Sequence, residues 1–332
     1  MDKKSAKFPE SISFEETADF LRKKDNYYIL CHVSPDGDAV GSGYGLCRLL
    51  RNMGKKANVL CSDPIPEKYG YITDWYEHEK FTPKTIVTVD LADINLFGKE
   101  LSVYSEYVEL AIDHHISNTG YAKKTLVNPK ASSACEVIYD MASSQGFQLD
   151  DVFAACIYTG IATDTGCFRF ENTTKRAHII TAQLMEYNLP YGTINHELFE
   201  IKSAARIAVE QYAFSNIKTY LDDKCAMIIV SLDTIKKTGL EPEEFEGLAA
   251  IPMQLKGVKV GITVKEKEPG KFKVSMRSSA DSDIDVSAIC AKLGGGGHIR
   301  AAGCTVEGNP EQVKLKLLSA VAPEMGFDLW LS

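Results

Sequence analysis

The residues in this chain best suited to chemistry are aspartates and histidines at the ends of apolar runs. His32, Asp36 and Asp38 fall in CHVSPDGDAVGS, Asp90 closes TIVTVD, Asp113, His114 and His115 close YVELAIDHH, and Asp164 sits in IATDTG. Carboxylates and imidazoles without thiolates form a hard to borderline donor set, suited to Mn²⁺, Mg²⁺ or Fe rather than to structural zinc. Four or more carboxylates in one crevice repel one another unless divalent cations neutralise them. Two cations ~3.5 to 4 Å apart, sharing one carboxylate, would activate a water at neutral pH and clamp an in-line phosphoryl displacement. Each residue also has a plainer reading: Asp36 and Asp38 suit a Pro/Gly turn, His32 a strand end, Asp113 a cap and Asp164 a helix terminus. It is their joint occurrence at element ends that points to a metal-dependent phosphoryl centre.

A second constellation is KLGGGGHIRAAG. Glycine loses more backbone freedom on folding than any other residue, about 0.5 to 1 kcal/mol against alanine, so the run Gly294 to Gly297 is a costly way to make a plain turn. Its use would be close backbone approach. A glycine run opening a helix would aim N–H groups at a phosphate, with His298 and Arg300 adding donors; a flexible loop is the other reading. No Lys-Ser or Lys-Thr follows as in a Walker loop, and no strand directly precedes as in a dinucleotide fold. Arg277, in KVSMRSS, suits either a bidentate phosphate contact or a solvated strand charge. GSGYG lacks the G-x-S-x-G spacing of a serine nucleophile elbow.

The elements that would position these residues follow from the pattern. NYYILC, ANVLC, TIVTVD and YVELAID read as buried strands. AVGSGYGLCRLLRNMG reads as a helix from Ala39 closed by Gly54, and KASSACEVIYDMASSQG and DDVFAACIYTGIATDTG as two more. Alternating strands and helices predict βαβ units around a mostly parallel sheet, where ligands gather at the carboxyl ends of strands. Beyond Pro190 a polar helical stretch precedes KTYLDD, KCAMIIV and the hairpin pattern VKVGITVKEKEPGKFKVSMRSS, which predicts an α+β second domain. The expected layout is 1–190, a helical linker over 191–214, and 215–332.

Composition bounds the partners. With 332 residues, 45% hydrophobic and 25% charged, the chain is an ordinary globular one with room for two domains. A net charge of −8 excludes a globally basic binder of long duplexes. The N-terminus MDKKSAKFPE shows no secretory pattern and no segment has the apolar length of a membrane span, so a cytoplasmic protein without membrane association is expected. Nine cysteines, none in a CxxC pair, read as core thiols of a reducing compartment. Cys167, in TGCFRF, reads as a packed thiol rather than a ligand.

Together these residues resemble the DHH phosphoesterase family. HVSPDGDAVGS is similar to its first motif, VTVD to its second, DHH at 113 to 115 to the third that names it, and the Asp164 segment to its fourth. GGGGHIRAAG resembles the hallmark of the type-one DHH-associated domain. The resemblance implies an α/β fold: a DHH domain with a mostly parallel sheet flanked by helices, plus a smaller α+β DHH-associated domain. It implies two divalent metal ions, Mn²⁺ foremost, one held by His32, Asp36 and Asp90, the other by Asp38, Asp90, His114 and Asp164. Asp113 would orient the adjacent histidine, and His115 would face the scissile phosphate. Arg277, Gly295, Gly296, Gly297 and His298 would bind the terminal nucleotide across an interdomain cleft. The implied activity is hydrolysis of short oligoribonucleotides to nucleoside 5′-monophosphates, and of 3′-phosphoadenosine 5′-phosphate to AMP, by a monomer or homodimer. Cleavage of a cyclic dinucleotide such as c-di-AMP, or of its linear product pApA, is the alternative; a catalytically silent nucleotide-binding regulator is a reading from another class.

Overall fold

The computed structural model describes residues 10–238 and 247–327. The chain divides into two compact units, 1–201 and 202–332. In the first, strands β1 (Glu10–Ser11), β2 (Tyr27–Leu30), β3 (Ala57–Leu60), β4 (Thr85–Val89), β5 (Val108–Asp113) and β6 (Lys124–Val127) form one sheet in the spatial order β1-β6-β5-β4-β2-β3. Every pairing in it is parallel. All five residues of β4 are buried, as expected of a strand covered on both faces. From β2 the chain crosses to β3 on one side, then returns to place β4 on the other. The connections therefore diverge at the carboxyl ends of β2 and β4, which opens a crevice there.

The helix after β2 runs Gly37–Asn52. It starts two residues before the expected Ala39, because the Asp36 carboxylate accepts the backbone N–H groups of Asp38 and Ala39 and caps it. Its Gly37, Gly41 and Gly45, spaced by four, share one face. That face lies against the Asp151–Asp164 helix so closely that a Cβ on Gly41 would sit 2.4 Å from the Cys156 carbonyl oxygen, and one on Gly37 would sit 2.3 Å from Thr163 Oγ1. Gly37 faces Thr163 while Gly45 faces Cys156, so the two helices run antiparallel. The start of one is thereby brought to the end of the other.

The second unit is a mixed sheet in the order β11-β12-β10-β9-β8-β7, from β7 (Lys218–Tyr220), β8 (Cys225–Val230), β9 (Val260–Glu268), β10 (Lys271–Ser278), β11 (Gly296–His298) and β12 (Ala301–Glu307). Phe272, Val274 and Met276 of β10 are buried in one apolar cluster with residues of the Val286–Lys292 and Pro310–Val321 helices. By the period of two along a strand, Lys271, Lys273, Ser275 and Arg277 occupy the opposite face. The stretch 191–214, expected as a linker, is divided between the units. Ile194 is buried in the first core, Val209 and Ala213 in an apolar cluster of the second, and the division falls after Ile201. Among the described residues no helix is long and apolar enough to cross a membrane.

Gly41→Ala is expected to destabilise the chain by about 1 to 3 kcal/mol, because the added methyl must push a backbone carbonyl. Gly192→Ala, with nothing within 4 Å of its Cβ, is expected to be neutral or slightly stabilising. Urea unfolding of the two variants beside the parent checks both.

Candidate metal centre

The crevice of the first unit collects side chains from five element ends. His32 follows β2, Asp36 and Asp38 open the next helix, Asp90 follows β4, Asp113 ends β5 with His114 and His115 behind it, and Asp164 ends its helix. His32 Nε2 lies 3.7 Å from Asp36 Oδ1 and 3.6 Å from Asp90 Oδ2. His114 Nε2 lies 3.6 Å from Asp90 Oδ1, 3.4 Å from Asp164 Oδ2 and 3.9 Å from Asp38 Oδ2. The two oxygens of Asp90 thus face two different histidine–carboxylate groups. Donor atoms of His32, Asp36 and Asp90, and of Asp38, His114 and Asp164, each fall within 4.8 Å of one another.

This set fits a divalent metal site. Asp90 is 3% exposed, yet its buried Oδ1 has no hydrogen-bond partner, an omission that costs free energy unless a cation satisfies it. Burial, then the charge of Asp36, lifts Asp38 to about 6; burial and Asp38 lift Asp164 to about 7. Burial and Asp38 also push Asp90 well above the usual carboxylate range. Burial alone would discharge His32, but Asp36 and Asp90 outweigh it and raise the imidazole to about 11. Without a metal, protons supply the missing positive charge, so protons and metal compete for the same atoms.

The backbone explains why the donors hold their places. Asp90 has φ of +52°, a left-handed conformation that Asp tolerates better than most residues. Asp38 accepts the N–H groups of Ala134 at 2.6 Å and Cys135 at 3.0 Å, at the start of the Ala134–Ser144 helix, where the helix dipole favours an anion. Asn172 bridges the carbonyls of Asp164 and Ser132. Asn172 and the 134–135 backbone went unread in the sequence, since their roles arise only from tertiary contact.

Asp113 departs from one reading of its expected role. Fully buried, it accepts His115 Nδ1 at 2.8 Å, Asn118 Nδ2 at 2.6 Å and the N–H groups of His114 and His115. Its side-chain partner is therefore His115, whereas His114 turns Nδ1 to the Ala131 carbonyl and Nε2 to the carboxylates. His115 Nδ1 also lies 3.5 Å from Asp90 Oδ1, and donor atoms of Asp90, His114 and His115 form a third group within 4.8 Å of one another, although the nearer partner of His115 Nδ1 is Asp113. The Asp113 hydrogen bond raises the His115 imidazole above its ordinary range.

The glycine run of the second unit departs from expectation. It does not open a helix: it follows the Val286–Lys292 helix and leads into β11, whose Gly296, Gly297 and His298 pair with Gly303, Ala302 and Ala301 of β12. Close approach still sets the residue type, because a Cβ on Gly295 would sit 2.1 Å from the Gly303 carbonyl oxygen. Arg300 is not a spare donor, since its guanidinium is spent on the carbonyls of Ser279, Ala280 and Ser282. Arg277 and Gly294 to Gly297 line one recess on the sheet's outer face, and His298 is exposed beside them. Cys167 is half-buried and belongs to no donor cluster among the described residues.

Residues 26–161 match the DHH family, N-terminal domain, and residues 223–323 match the DHHA1 domain. The chain is 29% identical over 305 residues to the bifunctional oligoribonuclease and PAP phosphatase NrnA of Thermus thermophilus, covering 90% of each. It is 27% identical over 281 residues to the protein of the same name from Bacillus subtilis, covering 83% of this chain and 87% of that one. A solved exopolyphosphatase-related protein from Bacteroides fragilis shares the fold, with a TM-score of 0.82 at 24% identity over 93% of this chain and 95% of that one.

The raised Asp164 carboxyl sets a pH dependence. Well below the ordinary value of 3.8 the folded and unfolded chains both hold its proton; as the pH rises past that value only the folded chain keeps it, and above about 7 the folded chain carries the charge at full cost. In metal-stripped protein, Asp164→Asn is expected to raise the melting temperature relative to the parent at pH 8 and by much less at pH 4. Adding Mn²⁺ at pH 8 should reverse the order by stabilising the parent more. Thermal melts at both pH values, with and without the metal, check the pair.

Proposed function

The chain belongs to the DHH family and carries a DHHA1 domain, and from that premise we propose a metal-dependent phosphoesterase acting on short oligoribonucleotides and on 3′-phosphoadenosine 5′-phosphate. The observation that carries this reading is Asp90, whose two oxygens each face a separate histidine–carboxylate group. We read His32, Asp36 and Asp90 as holding one ion, and Asp38, Asp90, His114 and Asp164 as holding a second, with Mn²⁺ favoured by the oxygen and imidazole donors. Bound there, the ions would neutralise the carboxylates, polarise a phosphoryl oxygen and bring a water within reach of deprotonation near neutral pH.

The residues supply the rest. Asp113 fixes the His115 ring through Nδ1 and raises its affinity for a proton, so Nε2 is the position from which a proton would be offered to a phosphoryl oxygen or to the departing ribose oxygen. Release of a nucleoside 5′-monophosphate from RNA and removal of a 3′-phosphate both break the bond between phosphorus and a ribose 3′-oxygen. One geometry therefore serves both substrates, giving 5′-monophosphates in one case, and AMP and inorganic phosphate in the other. Arg277, the backbone of Gly295 to Gly297 and His298 are read as the site for a terminal phosphate or nucleotide, with Arg277 offering a two-pronged contact.

A comparison of kcat/KM in Mn²⁺ on a trinucleotide RNA, 3′-phosphoadenosine 5′-phosphate and linear diadenylate tests the proposal. Turnover of the first two is expected, and Asp90→Asn should lower both by at least ~10²-fold, beyond the loss seen when only an outer partner of a metal ligand is removed. A marked preference for diadenylate would replace this reading with a dinucleotide phosphodiesterase. Binding without turnover would make the chain a nucleotide-binding regulator.

A further inference from the structure

The outer face of the second unit's sheet carries charge that the metal centre and the glycine loop leave unexplained. The recess lined by Gly294 to Gly297 and Arg277 also takes in Lys267, Lys271 and Lys273, and an adjoining recess shares Lys267, Lys273, Ser275 and Arg277 with it. The trough is thus continuous from the glycine loop along the β9–β10 hairpin. Lys273 stands directly opposite Lys265, which is buried and partnered. Like charges facing each other across a ladder destabilise a sheet. Among the described residues Lys267 and Lys273 form no ion pair, and Lys271 reaches only Glu268 at 3.9 Å, the one carboxylate lining the recess. Among the described residues, four cations against one carboxylate line this recess on a chain of net charge −8 and make a local anion track.

We propose that Lys267, Lys271 and Lys273 bind the backbone phosphates of the substrate's nucleotides beyond the one held at Arg277, and so set how strongly substrates longer than a dinucleotide are preferred. This rests on the oligoribonucleotide reading above. Two features identify the ligand class. Outward residues of a strand recur every ~6.6 to 6.8 Å, comparable to the separation of successive phosphates in an extended single strand, so Arg277, Ser275, Lys273 and Lys271 follow such a backbone step by step, with a hydroxyl at the second step and cations at the others. Among the described residues no aromatic side chain lines either recess, so the contacts these residues offer are to phosphate and carry no base preference. A substrate with no phosphate beyond the Arg277 site, such as 3′-phosphoadenosine 5′-phosphate, makes no use of the track.

The test is the double variant Lys267→Gln/Lys273→Gln in the full chain with Mn²⁺, assayed on a pentanucleotide RNA, a dinucleotide and 3′-phosphoadenosine 5′-phosphate. The expected result is a kcat/KM on the pentamer lowered about tenfold through KM, with the two short substrates within about twofold of the parent. The slope of log KM against log salt for the pentamer should flatten by about 1.4, which is two phosphate contacts at roughly 0.7 each. The same change at Lys55 and Lys80 of the first unit should leave the pentamer unaffected. Equal losses on all three substrates, or none on the pentamer, would overturn the proposal. Fluorescence anisotropy of a labelled pentamer RNA on metal-stripped protein keeps the inference separate from the activity: weaker binding by the double variant supports the track even if nothing is hydrolysed, and unchanged binding refutes it.

Discussion

Mutual repulsion among Asp36, Asp38, Asp90 and Asp164 is the constraint around which the first unit is built. Charges a few ångströms apart with little water between them repel strongly, and nothing in a flexible chain would hold them together. Each is therefore fastened separately. Asp36 caps the helix it opens, Asp38 rests on the N–H groups of a second helix, Asp90 is locked by a left-handed backbone at the end of a central strand, and Asp164 ends a helix whose last carbonyl is tied by Asn172. The scaffold holds an arrangement whose favourable state requires added positive charge, and the raised carboxyls and the protonated His32 record that requirement.

Two features of the scaffold make this possible. The reversal of strand order at β2 and β4, which run parallel, leaves a gap at their carboxyl ends, so two strand ends can send donors into one crevice. The glycine face at 37, 41 and 45 then lets the flanking helix approach the Asp151–Asp164 helix at backbone distance. Larger residues there would separate Asp38 from Asp164. Gly160 works from the other side: a Cβ on it would come within 2.5 Å of Asp38 Oδ1.

Much of this was readable in the sequence because it is written in local signals. A run such as TIVTVD, followed by a change of pattern, marks both a buried strand and the residue delivered at its end, and SPDGD marks a loop whose aspartates also cap. Signals that depend on distant partners were not legible. Lys124–Val127 is only four residues long and was not anticipated as a strand; it is one because Val108–Asp113 and Glu10–Ser11 pair with it. The GGGG run read as a helix start because glycine announces close approach without saying to what; here the neighbour is β12. The stretch around 191–214 looked like a connector because its apolar residues are sparse, yet Ile194 and Val209 serve different cores.

Behind the carboxylates lie sulfur atoms. Cys31 and Cys135 are fully buried, the second against Asp38, and burial drives both thiols far above their ordinary range. A thiol binds metal as thiolate, so each sulfur could be recruited only by forcing off a proton in a dry, already anionic environment. Among the described residues neither sulfur joins a donor cluster; the clusters are made of carboxylates and imidazoles alone. The crevice thus presents oxygen and imidazole donors at its surface and keeps its sulfur behind them as packed, protonated thiol.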